Sequence, residues 1–146
     1  MQDEPIPHDE RKHWDLCHKI IKVFYAVYNE LGFGFYEIVY EEALALSLTE
    51  AGFTVARQVS TPIWFHGKRI GEYKADLIVN NAVLIELKSA QALDTAHHAQ
   101  VLNYLRSTDI EVALLLNFGP KASFKRLVFE NTRKGIRVSS RASAGS

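Results

Sequence analysis

The stretch IGEYKADLIVNNAVLIELKS, residues 70–89, decides how this chain folds. Two runs rich in β-branched and aliphatic residues flank Asn80 and Asn81, and asparagines at such a junction are typical of hairpin turns. The pattern predicts two antiparallel strands. The second strand, AVLIELKS, is apolar on both faces except near its end, which indicates a central strand that is covered on two sides.

The length of the turn determines which face of the hairpin carries Asp76. A two-residue turn would pair Asp76 with Ile85 and point it away from Glu86. A three-residue loop over residues 80–82 would instead pair Asp76 with Glu86, about 5 Å apart. Because three-residue loops with one residue in the left-handed conformation are common, and asparagine tolerates that conformation, we expect the three-residue loop.

Three charged residues, Asp76, Glu86 and Lys88, are then expected to meet at one end of the sheet. Alternation places Glu86 and Lys88 on the same face, about 7 Å apart. Two carboxylates this close are unfavourable without a cation between them, and hard divalent cations such as Mg²⁺ bind oxygen ligands. The pattern predicts a metal site to which the backbone carbonyl of Leu87 also contributes. A plain ion pair between Glu86 and Lys88 is the structural alternative.

A helix that begins within GFGFYEIVYEEALAL, residues 32–46, is expected to bring in a third carboxylate. At 100° per residue, Glu37 lies on the apolar stripe of this helix, in line with Leu44. A buried carboxylate costs several kcal/mol unless it is paired, hydrogen-bonded or bound to a metal. We therefore expect Glu37 to be buried and to face Asp76 and Glu86.

The rest of the pattern predicts one α/β sandwich in the order α-α-β-β-β-α-β-β. Hydrophobic spacing predicts three helices, over about residues 14–31, 36–51 and 94–107. Runs of β-branched and aromatic residues predict the strands. We expect a flexible lead, a single domain and a disordered tail, over residues 1–12, 13–138 and 139–146.

Composition limits the classes of protein and partner. The 146 residues include 17 basic and 17 acidic side chains, so no global charge attracts nucleic acid or a membrane. One cysteine excludes an internal disulfide, and no apolar run approaches the roughly 20 residues of a membrane span. We expect a cytoplasmic protein without membrane contacts. Basic side chains that suit phosphate contacts are Lys68, Arg69, Lys121, Lys125 and Arg126.

Motifs on both sides of the hairpin resemble a known family. GFYEIVY, residues 34–40, is similar to the signature that names the GxxExxY proteins. Asp76 followed by ELK at residues 86–88 resembles the core motif of the PD-(D/E)XK nuclease superfamily, to which those proteins are assigned. Ala75 stands where the superfamily's name has proline, which is often absent in relatives.

A helical motif extends the resemblance. Gln100 and Tyr104, four residues apart, are similar to the QxxxY motif of RecB-type and phage lambda-type exonucleases in that superfamily. The likeness covers about residues 15–130. It implies an α/β, restriction-endonuclease-like fold, a three-layer sandwich in which helices flank a central mixed β-sheet.

The resemblance also implies a reaction and a set of roles. The reaction is hydrolysis of phosphodiester bonds in DNA, with Mg²⁺ or Mn²⁺ as the cofactor. The implied catalytic residues are Glu37, Asp76, Glu86, Lys88, Gln100 and Tyr104. The carboxylates would hold the metal and the lysine would stabilise the transition state. The QxxxY pair would orient the lysine, the water or the nucleic acid.

Two other functions stay open at this level. A catalytically inactive module with the same fold would bind nucleic acid or a protein partner, and the neutral net charge favours this hypothesis. A structural subunit would pair through an exposed strand at residues 124–129. The residues do not decide between DNA and RNA, or between a homodimer and another protein partner.

Overall fold

The elements follow the order predicted from the sequence, with one short helix added at the end. The computed structural model describes residues 12–134, so the predicted tail and nearly all of the predicted lead lie outside the described residues. The elements are α1 Trp14–Leu31, α2 Glu37–Glu50, β1 Val55–Phe65, β2 Lys68–Val79, β3 Val83–Lys88, α3 Thr95–Ser107, β4 Val112–Asn117, β5 Ser123–Val128 and α4 Asn131–Lys134.

A five-stranded sheet forms the middle layer, in the order β1-β2-β3-β4-β5. Strands β3 and β4 are parallel and are connected through α3, whereas the other three neighbouring pairs are antiparallel. Helices α1 and α2 cover one face, where Phe24 and Leu44 lie in the core. Helix α3 covers the other face with Val101 and Leu105. The predicted three-layer sandwich with a mixed sheet is confirmed.

The β2–β3 turn has the predicted three-residue loop. Val79 pairs with Val83, and Leu77 pairs with Ile85, so the loop spans residues 80–82. Both asparagines of the loop are left-handed, with φ of 52° and 53°, where one such residue was expected. The loop is held because the side chain of Asn80 accepts a hydrogen bond from the backbone of Thr54 at 2.9 Å.

Strand β2 loses its alternation at Asp76. Ala75 and Ile78 both lie in the core on the α3 face, while Leu77 lies in the core on the opposite face. A regular strand would place Ala75 and Leu77 on one face. The β1–β2 ladder also skips the pair formed by Gln58 and Asp76, and Gln58 has a left-handed φ of 50°. The break gives Asp76 a backbone environment that differs from that of its neighbours.

Helix α1 packs against the sheet through one apolar face. Its buried side chains recur at helical spacing, at Cys17, Ile20, Phe24 and Val27, while Lys19 lies exposed. This amphipathic pattern is that of a helix on the surface of a globular domain. No helix within residues 12–134 combines the length and the apolar character needed to cross a membrane.

Candidate functional site

Asp76 and Glu86 lie side by side where the pairing of β2 with β3 ends, one residue beyond the pair of Leu77 and Ile85. The backbone N–H of Leu87 donates to Asp76 Oδ2 at 2.8 Å, and the backbone N–H of Asp76 donates to Glu86 Oε1 at 3.3 Å. Each carboxyl group therefore accepts a hydrogen bond from the opposite strand, where a regular ladder would use carbonyl oxygens. The predicted juxtaposition of the two acids is present, and Glu86 is only 6% exposed.

Burial makes these two carboxyl groups resist ionisation, and a neighbouring carboxylate adds to the effect, Asp76 for Glu86 and Glu41 for Asp76. Burial raises the pKa of Glu86 to about 7, and the neighbouring charge of Asp76 acts in the same direction. Burial also raises the pKa of Asp76, although the hydrogen bond from Leu87 opposes the change. A cation bound between the two groups would relieve both costs.

Glu37 is not buried, and this part of the sequence analysis was wrong. Glu37 is the first residue of α2, its side chain is exposed, and it has no hydrogen bond or ion pair with Asp76 or Glu86. Helical side chains tilt towards the N-terminus, so the first residue of α2 projects past the packed part of the apolar stripe. The buried carboxylate of α2 is Glu41, which is 4% exposed.

Two residues of β1 donate hydrogen bonds to Glu41, and one of them, Arg57, also neutralises its charge. Arg57 donates to Glu41 Oε2 from Nη2 at 2.8 Å and from Nε at 3.2 Å. The amide of Gln58 donates to Glu41 Oε1 at 2.6 Å and to Asp76 Oδ1 at 3.4 Å. Gln58 thus bridges two carboxylates from its left-handed backbone position. Sequence analysis missed all three residues, although the position of Glu41 next to Tyr40 on the apolar stripe was a usable signal.

Lys88 ends β3 beside the two acids, and the backbone around it is fixed. The backbone N–H of Phe118 donates to the Lys88 carbonyl at 2.7 Å. The buried side chain of Asn117 accepts from the N–H of Ala90 at 2.9 Å and donates to its carbonyl at 3.0 Å. A Cβ on Gly119 would clash with that same carbonyl, so only glycine fits there. Asn117 and Gly119 were missed by the sequence analysis.

Of the two α3 residues Gln100 and Tyr104, one faces solvent and the other lies in the core. Gln100 is exposed, whereas Tyr104 is 4% exposed and its hydroxyl lies 3.2 Å from Thr61 Oγ1. His97, on the same face, forms a capping box with Asp94 at the start of the helix. The side chain of Gln100 therefore faces solvent, whereas that of Tyr104 packs in the core next to Thr61.

Tyr73 of β2 lies between Tyr104 of α3 and the carboxyl group of Glu86. Its ring lies 4.7 Å from the ring of Tyr104, measured between centroids. Burial raises the pKa of Tyr73, and the charge of Glu86 acts in the same direction. The hydroxyl is buried and makes no hydrogen bond in the described part of the chain.

The predicted phosphate-binding residues fall into two groups on opposite edges of the sheet. Lys68 and Arg69 lie exposed at the β1–β2 hairpin, where Arg69 pairs with Glu72 at 3.0 Å. Lys121 and Lys125 lie exposed near β5, at the other edge. The fifth residue, Arg126, is half-buried: it stacks over the Trp14 ring at 5.4 Å and donates to the carbonyl of Lys12. We assign Arg126 a structural role.

The oxygen atoms of Asp76, Glu86 and Leu87 could supply some of the ligands of a divalent cation. Across residues 12–134, no three side chains of His, Cys, Asp or Glu converge on one point, so the expected three-carboxylate site is not formed. Asp76 and Glu86 remain, with the Leu87 carbonyl between Glu86 and Lys88 along β3. Mg²⁺ is commonly held by one or two carboxylates with water and substrate phosphate, so these residues fit such an ion.

A mixed sheet covered by helices on both faces, with paired acids and a lysine at adjacent strand positions, defines a restriction-endonuclease-like protein. The chain belongs to the PD-(D/E)XK nuclease superfamily, since that family's model matches residues 14–127. The chain is also similar to the crystal structure of SSO0001, with 22% identity, a TM-score of 0.52, and coverage of 94% of this chain and 69% of that one. At that identity the likeness shows the fold alone. No curated protein matches the chain.

Proposed function

We propose that the protein is a divalent-metal-dependent nuclease that hydrolyses phosphodiester bonds of DNA in the cytoplasm. The observation that supports this most strongly is the hydrogen bond from the Asp76 N–H to the Glu86 carboxyl group, which brings a half-buried and a buried carboxyl group, both with raised pKa values, together near Lys88. Like charges on a buried and a half-buried carboxyl group are hard to justify structurally unless a cation joins them. Membership of a nuclease superfamily makes phosphodiester hydrolysis the reaction to test first.

In this proposal each side chain has a defined task. Asp76, Glu86 and the Leu87 carbonyl would hold Mg²⁺ or Mn²⁺, and the ion would lower the pKa of bound water and offset charge on the phosphate. Lys88 donates to the phosphate oxygens that gain charge in the transition state. The two hydrogen bonds between the Asn117 side chain and the Ala90 backbone keep the segment that follows Lys88 in place.

Glu41 replaces Glu37 in the proposed site. Glu41 reaches Asp76 through Gln58, so it fixes Asp76 by way of a shared amide. Partners of this kind, one contact away from a metal ligand, typically change metal affinity or activity by about 10–100-fold when they are removed. Gln100 lies exposed on α3, where we expect it to contact the nucleic acid backbone.

A specific observation also favours the second hypothesis, a catalytically inactive module. Arg57 already neutralises Glu41, and the Gln58 amide occupies the space between Glu41 and Asp76. A site satisfied in this way has less need of a cation. Such a module would bind nucleic acid or a protein without cleaving it.

Cleavage assays with matched variants separate the two hypotheses. We would incubate single- and double-stranded DNA and RNA with wild type, Asp76→Asn and Lys88→Met, each with Mg²⁺, Mn²⁺ or EDTA. Glu50→Gln, at the exposed end of α2, is the matched control for the loss of one carboxylate. The proposal expects cation-dependent cleavage that both site variants abolish and the control retains. Cleavage of none of the substrates by wild type would favour the inactive module.

A further inference from the structure

A cavity of about 350 Å³ lies between the β1–β2 ribbon and the second half of α3. Its volume is at the small end of the roughly 300–1,000 Å³ typical of small-molecule sites, so it suits a ligand of the size of one or two rings. Tyr73, Tyr104, Pro62 and Ile63 form its apolar surface. None of the roles proposed above uses this cavity.

The polar groups of the cavity are all uncharged. Thr61, Asn103 and Ser107 complete the lining, and no acidic or basic side chain takes part. The exposed side-chain amide of Asn103 makes no hydrogen bond within residues 12–134, so it is available to a ligand. An amide presents a donor beside an acceptor, and asparagine uses this pair to bind the edge of a base. Phosphates and carboxylates would find no counter-charge here.

Tyr73 joins the cavity to the carboxylates. Its ring lines the cavity, while its buried hydroxyl points to the region of Glu86 and makes no hydrogen bond in the described chain. One tyrosine side chain therefore separates the cavity from Glu86. A nucleotide whose phosphate lies at Asp76 and Glu86 would then have Tyr73 between its phosphate and the cavity.

We propose that the cavity binds a single unpaired nucleobase of the substrate strand, which stacks on Tyr73 and bonds to Asn103. This inference rests on the proposed nuclease function and adds the substrate class. A base inside a duplex must leave the stack first, at a cost of a few kcal/mol that is least for single strands and mismatches. The protein then prefers single-stranded or frayed nucleic acid to intact duplex.

Binding to single-stranded oligonucleotides with one abasic site tests the inference apart from cleavage. We would measure fluorescence anisotropy of a labelled eight-nucleotide DNA and of eight copies, each lacking one base, in EDTA and in Ca²⁺. Base stacking on an aromatic side chain predicts a loss of about tenfold in affinity at one position. Tyr73→Ala and Asn103→Ala should remove that position-specific loss, while Tyr73→Phe should retain it.

Asn29→Ala, an exposed asparagine on α1 at the opposite face of the sheet, is the matched control. Equal losses at all positions, an unchanged profile in Tyr73→Ala and Asn103→Ala, or no oligonucleotide binding in either buffer would overturn the inference. Cation-dependent cleavage together with equal affinity for all abasic oligonucleotides would reject the base-binding role of the cavity and support the nuclease function. A loss of affinity at one position that depends on Tyr73 and Asn103, without any cleavage, would support the base-binding role and reject the nuclease function.

Discussion

Replacing Glu86 with glutamine should make the protein more stable, and the gain should depend on pH. The folded state raises the pKa of Glu86 from its ordinary value of 4.5 to about 7. The folded protein therefore binds more protons than the unfolded chain between these values, and stability falls as the pH rises through this range. At about 1.4 kcal/mol for each pH unit, the cost of ionised Glu86 at pH 8 is about 3 kcal/mol.

Glu86→Gln keeps the shape of the side chain and the oxygen that accepts from the Asp76 N–H. We expect the variant to match wild type closely at pH 4.5, and to exceed it by up to about 3 kcal/mol at pH 8. Urea unfolding in EDTA, followed by tryptophan fluorescence, measures both values. Mg²⁺ or Mn²⁺ should narrow the difference at pH 8, since a bound ion stabilises wild type by about 2.7 kcal/mol at 100 times its Kd.

Glu50→Gln is the control for this experiment, because Glu50 is exposed and its replacement should change stability by less than about 0.5 kcal/mol at either pH. A pH-independent difference between Glu86→Gln and wild type would refute the reasoning. So would a loss of stability at pH 8, because it would mean that the ionised group already has a compensating partner within the fold.

Four further variants test the structure around the site. Asn117→Ala removes both hydrogen bonds to Ala90 and should cost about 2 kcal/mol in urea unfolding, because two half-buried backbone groups lose their partners. Tyr40→Phe removes the hydroxyl that donates to the Gly32 carbonyl at 2.5 Å, and should cost about 1 kcal/mol by the same measurement. In cleavage assays, Glu41→Gln should lower the rate at least about tenfold, whereas Glu37→Gln should change it little. Equal losses of rate in the two variants would contradict the assignment of Glu41, in place of Glu37, to the proposed site.

The features that the sequence predicted correctly are those that local chemistry determines. The asparagine pair at residues 80–81 fixes the loop length, and the loop length fixes the register that brings Asp76 next to Glu86. Hydrophobic spacing likewise located the helices to within a residue or so, as in α2, expected over 36–51 and observed as Glu37–Glu50. Periodicity needs no knowledge of distant contacts.

The features that the sequence did not predict depend on how helices and strands that are distant in the sequence pack against one another. Glu37 and Glu41 share the apolar stripe of α2, and only the position of α2 over the sheet decides which one is covered. Gln58 becomes a bridge because β1 breaks opposite Asp76, a backbone feature without a local sequence signal. The same holds for Arg126, whose position over Trp14 comes from packing between residues far apart in the chain.

Calorimetric titration with Mn²⁺ tests the central claim, that Asp76 and Glu86 form a cation site, most directly. Wild type, Asp76→Asn and Glu50→Gln would be titrated at pH 8, with and without the single-stranded oligonucleotide. The account predicts saturable binding by wild type and by Glu50→Gln, and loss of that binding in Asp76→Asn. No binding by wild type in either condition, or equal binding by Asp76→Asn, would contradict it.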